Sequence, residues 1–247
     1  MFPVLFRIGS FEITSFGALV ALGALAGLWV FRREIARSGL PDSAMDAAVY
    51  GLVGGLVGAK LLYVFEHLDE GTFLSLFLDR GGMSWFGGFA GGLAAGYATI
   101  RAKRWPMLAV LSAATPALAV GQMLGRIGCL LVGDDYGYPT SLPWGMAFPQ
   151  GLPPTTERVH PTQIYEAIFL AIFAWVLIRW RRRGLSDRTV LGRYFLLVGA
   201  FRFGLEFLRV NTRVLGPLTV AHMFAMGVVV LGVALLVSAP ARPSSRP

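Results

Sequence analysis

Seven stretches of predominantly apolar residues run along the chain, and each is long enough to form one membrane-crossing helix. Crossing the hydrocarbon core of a bilayer takes about 17 to 25 such residues. The stretches cover residues 13–31, 44–65, 83–100, 107–124, 162–178, 190–207 and 218–237. This pattern predicts an all-α, polytopic membrane protein with about seven transmembrane helices. The first stretch has no basic leader and no small-residue cleavage site, so we expect it to stay in the mature protein.

The composition favours a membrane protein and excludes several kinds of site. Only 15% of the 247 residues are charged, against about 25% in a typical soluble domain. We therefore expect a single integral membrane domain over residues 1–247. The one cysteine, Cys129, excludes an intramolecular disulfide and a multi-cysteine metal site, and a buried structural role is favoured over a reactive thiol. Because metal-ligand spacing, a phosphate loop and a nucleotide fingerprint are all missing, no metal and no cofactor are predicted.

The basic residues indicate how the chain is oriented in the membrane. Of the 22 lysines and arginines, 14 follow the first, third, fifth and seventh apolar stretches. Because cytoplasmic loops carry the excess of lysine and arginine, we expect the amino terminus outside and the carboxyl terminus in the cytoplasm. The net charge of +8 is then an orientation signal, aided by anionic membrane lipids, and it gives no support to nucleic-acid binding.

The connection over residues 125–161 is unusually long and is rich in glycine and proline. Connections of this length are usually functional or disordered. This one contains too many aromatic and apolar residues for disorder. We therefore expect a folded cap on the outer face, or a partly re-entrant segment.

Ionisable residues near the outer ends of these stretches mark a candidate site. A charged side chain at the centre of a membrane helix costs about 2.5 to 3.5 kcal/mol on insertion scales, so such residues are functional candidates by default. The clusters predicted on the outer face are Lys60; Arg126, Asp134 and Asp135; His160, Gln163, Tyr165 and Glu166; and Arg202, Glu206 and Arg209. A lone histidine such as His160 is more often structural than catalytic, and that alternative stays open.

The last cluster has an informative spacing. Arg202, Glu206 and Arg209 are separated by four and then three residues, so they share one face of a helix. Such a ladder can be an internal ion-pair network. It can also hold a phosphate, because arginine offers a fork of donors to phosphate oxygens and a nearby glutamate keeps the arginine oriented. With Arg126 as a second clamp, the pattern favours binding of a phospholipid headgroup.

Four motifs together resemble one family of bacterial membrane enzymes. They are the glycine-rich segment 81–88, the Gly-Arg-Ile-Gly run at 125–128, the His-Pro-Thr-Gln-Ile-Tyr-Glu run at 160–166, and the ladder of Arg202, Glu206 and Arg209. In order and separation, and over nearly the whole chain, they resemble the bacterial phosphatidylglycerol–prolipoprotein diacylglyceryl transferases. The resemblance implies a multi-pass protein of the bacterial cytoplasmic (inner) membrane with its active site at the outer face.

The resemblance also implies a reaction and its partners. The diacylglyceryl group of phosphatidylglycerol would move to the lipobox cysteine thiol of a preprolipoprotein signal peptide, glycerol phosphate would leave, and no cofactor would be needed. The implied catalytic residues are Arg126, Arg202 and Glu206, and His160 is a further catalytic candidate because of its own chemistry. The implied substrate-binding residues are Lys60, Gly87, Gly88, Arg126, Asp134, Asp135, Gly137, Gln163, Tyr165, Glu166 and Arg209. The two catalytic arginines would hold the phosphate as charge develops on the leaving group.

Several positions depart from the family pattern. Phe86 stands where the family has a histidine, the usual candidate for activating the acceptor thiol. The other departures are Phe16 for a tyrosine, Lys60 for an arginine, Cys129 and Val132 for asparagines, and Asp134 for a glutamate. Because phenylalanine cannot take a proton, Asp134, Asp135 and His160 are the candidate general bases. His160 is preferred, since its unperturbed pKa lies nearest neutral pH.

Two classes of function remain open from the sequence. The first is a divergent transferase acting on the same or a related phospholipid. The second is a catalytically inactive paralogue that binds phospholipid or lipoprotein, which would retain the clamp arginines without a base. A thiol is a good nucleophile by itself, so stabilising the leaving phosphate could suffice for catalysis. A transporter or another lipid-modifying reaction is a further alternative, and the lack of an internal repeat argues against the transporter.

Overall fold

The computed structural model describes residues 4–9, 11–79 and 81–238, and helices dominate them. The helices are α1 Ser15–Arg37, α2 Met45–Glu66, α3 Phe73–Leu78, α4 Trp85–Ala102, α5 Met107–Val132, α6 Thr162–Arg182, α7 Asp187–Glu206 and α8 Val220–Val237, with a 3₁₀ turn at Asp42–Ala44. The strands are β1 Val4–Ile8, β2 Phe11–Thr14, β3 Met146–Phe148, β4 Thr155–Val159, β5 Arg213–Leu215 and β6 Leu218–Thr219. The strands pair antiparallel in sequence order, which gives three small hairpins.

The predicted helical organisation is confirmed. Seven helices of 18 to 26 residues lie over the seven apolar stretches. Within the described part of the chain, five spans are long and apolar enough to cross a membrane: Ser15–Arg37, Asp42–Glu66, Met107–Val132, Thr162–Arg182 and Val220–Val237. The other two long helices are less apolar, because α4 is rich in glycine and α7 carries arginines and a glutamate. Seven as the number of membrane crossings stays a prediction.

The chain divides into two compact units. The first unit contains the described residues up to Trp29 and those from Thr115 onward, and the second contains Val30–Ala114. A single membrane domain over the whole chain stays a prediction.

The second unit is built on the close packing of α2 against α4. Gly87 of α4 faces Gly58 of α2, and a Cβ added at Gly87 would lie only 2.3 Å from the Gly58 carbonyl oxygen. Small residues let membrane helices approach closely in this way. The short helix α3, which the sequence analysis did not predict, follows α2 and is N-capped by Thr72, whose hydroxyl accepts from the Ser75 amide.

The core of the first unit lies between α5, α6 and α7. Its buried side chains are Ala119, Leu170, Phe173, Ala174, Leu177, Val190 and Tyr194. The ring of Phe173 stacks on that of Tyr194 with centroids 5.9 Å apart. This packing fixes α6 beside α7 and therefore fixes the relative positions of the polar residues at their ends.

The boundary predicted at Gly125 is wrong. Helix α5 continues to Val132, so Arg126 lies inside a helix and the connection to α6 begins at Gly133. The reason is that Ile127, Leu130 and Val132 extend the apolar pattern past the two glycines of the motif. Single glycines cost a helix only about 1 kcal/mol each, which tertiary packing readily offsets.

The connection between α5 and α6 is folded, as predicted. Strands β3 and β4 form its hairpin, and the ring of Tyr136 stacks on that of the buried Phe148 with centroids 5.4 Å apart. The Tyr136 hydroxyl donates to the carbonyl oxygen of Pro153 at 2.7 Å. The segment also pairs with the residues after α7, through a bridge between Gly137 and Arg209. It therefore holds the ends of three helices together.

Candidate active site

The candidate site lies in the first unit, where α5 ends, α6 begins and α7 ends. Arg126 is in the last two turns of α5, Glu166 is in the second turn of α6, and Arg202 is near the end of α7. Three of the four polar clusters predicted from the sequence are thus brought together. Six of their side chains form a closed circle of alternating charge, termed the ion-pair ring: Arg126, Asp135, Arg209, Glu206, Arg202 and Glu166.

Arg126 joins two acidic members of the ring. Its Nη1 lies 2.7 Å from Asp135 Oδ2, and its Nε lies 2.9 Å from Glu166 Oε2. The guanidinium is therefore held from two directions by elements other than its own helix. Such charge-assisted contacts fix orientation as well as charge.

Arg202 and Arg209 complete the ring around Glu206. Arg202 Nη2 lies 2.9 Å from Glu206 Oε2, and Arg209 Nε lies 3.7 Å from the same oxygen. Arg209 Nη2 lies 2.6 Å from Asp135 Oδ1. Arg202 Nη1 is 3.7 Å from Glu166 Oε2 and is buried without a hydrogen-bond partner in the described part of the chain. The ladder seen in the sequence is therefore an ion-pair network that leaves one buried donor of Arg202 unsatisfied.

The ring is formally neutral and is buried on one side only. The side chains of Glu206 and Arg209 are 0% and 7% exposed, while those of Arg126 and Arg202 are 23% and 24% exposed. Breaking a buried pair is far more costly than breaking a surface pair, because it leaves a charge without compensation. The buried half therefore fixes the ring, and the two partly exposed arginines are the ones that a ligand can reach.

The start of α6 holds the turn that carries the two aspartates. The Thr162 hydroxyl donates to the carbonyl oxygen of Asp135 at 2.6 Å, and the Gln163 side-chain amide donates to that of Asp134. Asp135 has a φ of 62°, a left-handed conformation that non-glycine residues seldom adopt. These two hydrogen bonds and the two ion pairs of Asp135 stabilise it. Gln163 thus contributes by positioning the turn.

The two aspartates sit in different electrostatic surroundings. Burial raises the pKa of the Asp134 carboxyl above its ordinary value, and Asp134 Oδ1 is buried without a hydrogen-bond partner among the described residues. Burial acts in the same direction on Asp135, but the guanidiniums of Arg209 and Arg126 outweigh it and hold the pKa of that carboxyl below its ordinary value. Ionisation of Asp135 is thus favoured by folding, while ionisation of Asp134 opposes it.

Replacing each aspartate with asparagine is expected to change stability in opposite directions. When folding lowers the pKa of a carboxyl, the ionised carboxyl stabilises the protein at pH values above its unfolded-state pKa, and this stabilisation disappears as the pH falls through the folded-state pKa. When folding raises the pKa, the ionised carboxyl instead destabilises the protein. At neutral pH, Asp135→Asn should therefore lower the thermal unfolding midpoint in detergent and Asp134→Asn should raise it. Both differences should shrink on acidification. A lower midpoint for Asp134→Asn at neutral pH would contradict the assignment.

His160 lies beside the ring and not within it. Its Nδ1 is 3.3 Å from the Tyr165 hydroxyl, which accepts a hydrogen bond from Trp144 Nε1 at 2.8 Å. Among the described residues, the His160 side chain bonds to no member of the ion-pair ring. Its backbone is fixed, because the His160 amide donates to the Tyr138 carbonyl and its own carbonyl accepts from Gly137. The structure thus gives His160 and Tyr165 a shared polar cluster at the start of α6.

Gly137 is required by a close approach of three segments. A Cβ at this position would lie 2.3 Å from the carbonyl oxygen of Leu208 and 3.0 Å from Thr162 Cγ2 and His160 Cβ. No real side chain tolerates the first of these contacts. Gly137 therefore allows the connection to pass between the start of α6 and the residue that precedes Arg209.

Lys60 lies in the second unit and is engaged by the backbone. Its ammonium lies 2.7 Å from the carbonyl oxygens of Asp79 and Gly81 and 3.3 Å from that of Gly82. An ammonium has three protons to donate, and these three acceptors use all of them. Lys60 thus holds the turn after α3. Its contact with a substrate stays a prediction.

The glycine pair of α4 also belongs to the second unit. Gly87 is explained by the close approach of α2, since a side chain there would collide with the backbone of Gly58. Gly88 is less constrained, since a Cβ there would make ordinary contacts of 3.4 Å with Ala59 and 3.5 Å with the Gly55 oxygen. Phe86 is 57% exposed and packs edge-on against Trp85. Substrate contacts of Gly87 and Gly88 stay predictions.

Three residues beside the ring were missed by the sequence analysis. Asn211 Nδ2 and the Thr219 hydroxyl donate to Glu206 Oε1 at 2.6 and 2.9 Å, and Thr219 is in turn bonded to His222. The available signal was the Thr-x-x-His spacing at the start of the last apolar stretch, which resembles a helix capping box. Such a spacing predicts only where a membrane helix begins.

One group of side chains in the described residues has atoms close enough to share a metal ion. The ligand atoms of Cys129, Asp134 and Asp135 lie within 4.8 Å of one another. However, Asp135 already bonds to two arginines, and Arg126 Nη1 lies 3.9 Å from Cys129 Sγ. A cation would have to enter against a guanidinium, so the donor set does not suit a metal.

Comparison with known proteins assigns nearly the whole chain to a family of transferases. Residues 3–238 match the family described as prolipoprotein diacylglyceryl transferase. A phosphatidylglycerol–prolipoprotein diacylglyceryl transferase of Clostridium tetani is 32% identical over 94% of this chain and 96% of its own length. A protein of the same name from Geobacter sulfurreducens is 34% identical over 91% of this chain and 88% of its own length.

Proposed function

Since the chain belongs to the prolipoprotein diacylglyceryl transferase family, we propose that it transfers a diacylglyceryl group from phosphatidylglycerol to the cysteine thiol of a prolipoprotein. It is a multi-pass membrane protein with several helices able to cross a bilayer. We place the amino terminus outside, the carboxyl terminus in the cytoplasm and the site at the outer face of the cytoplasmic membrane. The arginine-rich connection between α6 and α7 supports this orientation.

The proposed reaction is a displacement at a glycerol carbon. The bond between that carbon and the phosphate oxygen breaks, and a thioether bond forms between the carbon and the cysteine sulfur. The thiol proton passes to a base, and glycerol phosphate leaves with the bonding electrons. Negative charge therefore grows on the phosphate oxygen as the reaction proceeds, and the site must stabilise it there.

The observation that carries the proposal is the oriented pair of arginines at the edge of the ion-pair ring. Arg126 and Arg202 both contact Glu166 Oε2, so one carboxylate holds them side by side. Arg202 Nη1 is a buried donor without a hydrogen bond in the described part of the chain, and a phosphate oxygen can satisfy it. Preorganised donors of this kind are worth more than flexible ones, since they need no rearrangement as charge develops.

The proposed base is His160, with Asp134 and Asp135 as the other candidates. Asp135 is the weakest of the three, because its lowered pKa makes it a poor proton acceptor. His160 is oriented by Tyr165: when Nδ1 carries the ring proton it donates to the Tyr165 hydroxyl oxygen, and Nε2 is then unprotonated and able to accept the proton of the thiol. Phe86, which cannot accept a proton, then needs no catalytic role.

His160→Ala is expected to lower kcat about 100-fold or more, the usual contribution of a general base. Tyr165→Phe is the matched variant, since it keeps the ring and removes the hydroxyl that contacts His160, and its effect should be smaller. The measurement is the rate of peptide modification at saturating lipid. A wild-type rate for His160→Ala would exclude His160 as the base and return the choice to Asp134.

The reaction itself is tested with purified protein in detergent, phosphatidylglycerol and a lipobox peptide with a free cysteine. Mass spectrometry of the peptide should show a gain of one diacylglyceryl group, and a peptide with serine at that position should show none. If the peptide gains no mass while an active relative modifies the same peptide in a parallel reaction, the result would instead support a paralogue that binds lipid or lipoprotein without transfer.

A further inference from the structure

Glu206 is held at both carboxylate oxygens, by groups of different kinds. Oε2 faces Arg202 and Arg209, while Oε1 accepts hydrogen bonds from the Asn211 side-chain amide at 2.6 Å and the Thr219 hydroxyl at 2.9 Å. We propose that Thr219 and His222 are positioning residues for the transfer reaction: they fix the rotation of Glu206, and through it the guanidinium of Arg202. This role rests on the proposed function.

The hydrogen bonds at the start of α8 direct the Thr219 hydroxyl toward Glu206. The Thr219 oxygen accepts from the His222 amide at 3.3 Å, and the Thr219 amide donates to His222 Nδ1 at 3.1 Å. This is a capping box in which histidine takes the place of the usual glutamate or glutamine. Since His222 Nδ1 accepts its hydrogen bond from the Thr219 backbone amide, the single hydroxyl proton of Thr219 is available to donate to the Glu206 carboxylate.

His222 also connects α8 to the helix that carries the ring. It is 1% exposed, and its ring packs against Phe203 of α7 and Phe207, the residue directly after α7, with centroids 4.9 and 4.4 Å apart. Because Nδ1 accepts, the proton lies on Nε2, which is buried and has no hydrogen-bond partner in the described residues. His222 therefore fixes Thr219 relative to the helix that carries Glu206.

Removing the Thr219 hydroxyl would disturb the orientation of Glu206 and Arg202 and would leave their charges unchanged. Without the Thr219 hydroxyl, Glu206 keeps its charge and its arginines but can rotate its carboxylate. Arg202 would then present its donors at a changed angle to the leaving phosphate. Small misplacements of this kind can lower rates by as much as about 100-fold.

The test compares variants that remove the hydrogen bond with variants that preserve it. Thr219→Val removes the hydroxyl at constant shape, and Thr219→Ser retains it. His222→Leu removes the acceptor, whereas His222→Gln restores the usual capping-box residue. Ser186→Ala is the control, because Ser186 caps α7 at its other end by accepting from the Thr189 amide and touches no ring residue.

We expect Thr219→Val and His222→Leu to lower kcat about 10- to 100-fold with little change in KM for phosphatidylglycerol. The serine and glutamine variants should retain most of the wild-type kcat. Ser186→Ala should lower only the unfolding midpoint. If Thr219→Val does not fold, Asn211→Ala replaces it, since Asn211 is exposed and donates to the same oxygen.

The two possible failures are distinguishable. If the wild-type protein transfers no group, the proposed function fails and the positioning role fails with it. If the wild type is active and Thr219→Val behaves like Ser186→Ala, with a lower midpoint and an unchanged kcat, the capping box is structural and the positioning role alone is overturned. Equal losses of kcat in Thr219→Val and Thr219→Ser would overturn it as well.

Discussion

Replacing Arg126 with alanine is expected to lower kcat for diacylglyceryl transfer by at least about 100-fold, the usual effect of removing one preorganised donor from a site of developing charge. The loss should be larger than that of a single contact, because Arg126 also holds Glu166 and Asp135. Without Arg126, Asp135 would keep only its ion pair with Arg209 within the ring. Glu166 would keep only its longer contact with Arg202. The measurement is the rate of peptide modification at saturating phosphatidylglycerol.

Two further variants make this result interpretable. Arg126→Lys keeps the charge but cannot contact two carboxylates with separate nitrogens of a planar fork, so we expect most of the loss to remain. Arg188→Ala is the matched control, because Arg188 is an arginine at the opposite end of α7 that bonds to Ser238. If Arg126→Ala kept full activity, the ring would not be the site of phosphate stabilisation. In an inactive binding paralogue, the same variant would weaken lipid binding with no turnover to lose.

Much of the fold can be predicted from the sequence, because a helix that crosses a bilayer must be both apolar and long enough to span it. Apolar stretches of helical length predict the positions of the seven long helices. The same rule fails at the end of α5, where the motif glycines suggest a helix end and the apolar residues up to Val132 continue the helix. It also gives no signal for short hairpins such as β5–β6, whose strands contain only three and two residues.

The sequence predicted only those parts of the candidate site that depend on the spacing of residues along one helix. The spacing of Arg202, Glu206 and Arg209 predicts three side chains on one helix face; this holds for Arg202 and Glu206, but it is wrong for Arg209, because α7 ends at Glu206. That Glu166 and Asp135 close the circle depends on how the ends of three helices meet, and the sequence does not encode this in any local pattern. Thr219 was missed for the same reason: its hydroxyl reaches Glu206 only because β5 and β6 fold back toward α7.

The neutrality of the ring explains how a membrane protein can hold three arginines ready for an anion. Each carboxylate contacts two guanidiniums, so every buried charge is compensated before a ligand arrives. Uncompensated charges at such a place would strongly destabilise the fold. Arg202 Nη1, which lies 3.7 Å from Glu166 Oε2 but makes no hydrogen bond among the described residues, then remains available to donate to an anion.

Glu206→Ala is expected to lower both stability and activity. The Glu206 side chain is 0% exposed, and its removal leaves Arg202 and Arg209 facing each other without their shared carboxylate. Breaking a buried ion pair by removing one partner costs about 3 to 5 kcal/mol, so the unfolding midpoint in detergent should fall clearly. Asn211 and Thr219 also lose their common acceptor.

The kinetic effect of Glu206→Ala should separate binding from catalysis. Removing a negative charge leaves the ring with a net positive charge, which attracts an anionic headgroup, so KM for phosphatidylglycerol should not rise. The kcat should fall about 100-fold, because Arg202 loses the contact that aims it at the leaving phosphate. Glu34→Ala is the matched control: Glu34 is a buried glutamate paired with Arg37 in α1, and its loss should cost stability with kcat unchanged. If Glu206→Ala raised KM and left kcat intact, Glu206 would serve lipid binding and not the orientation of Arg202 during transfer.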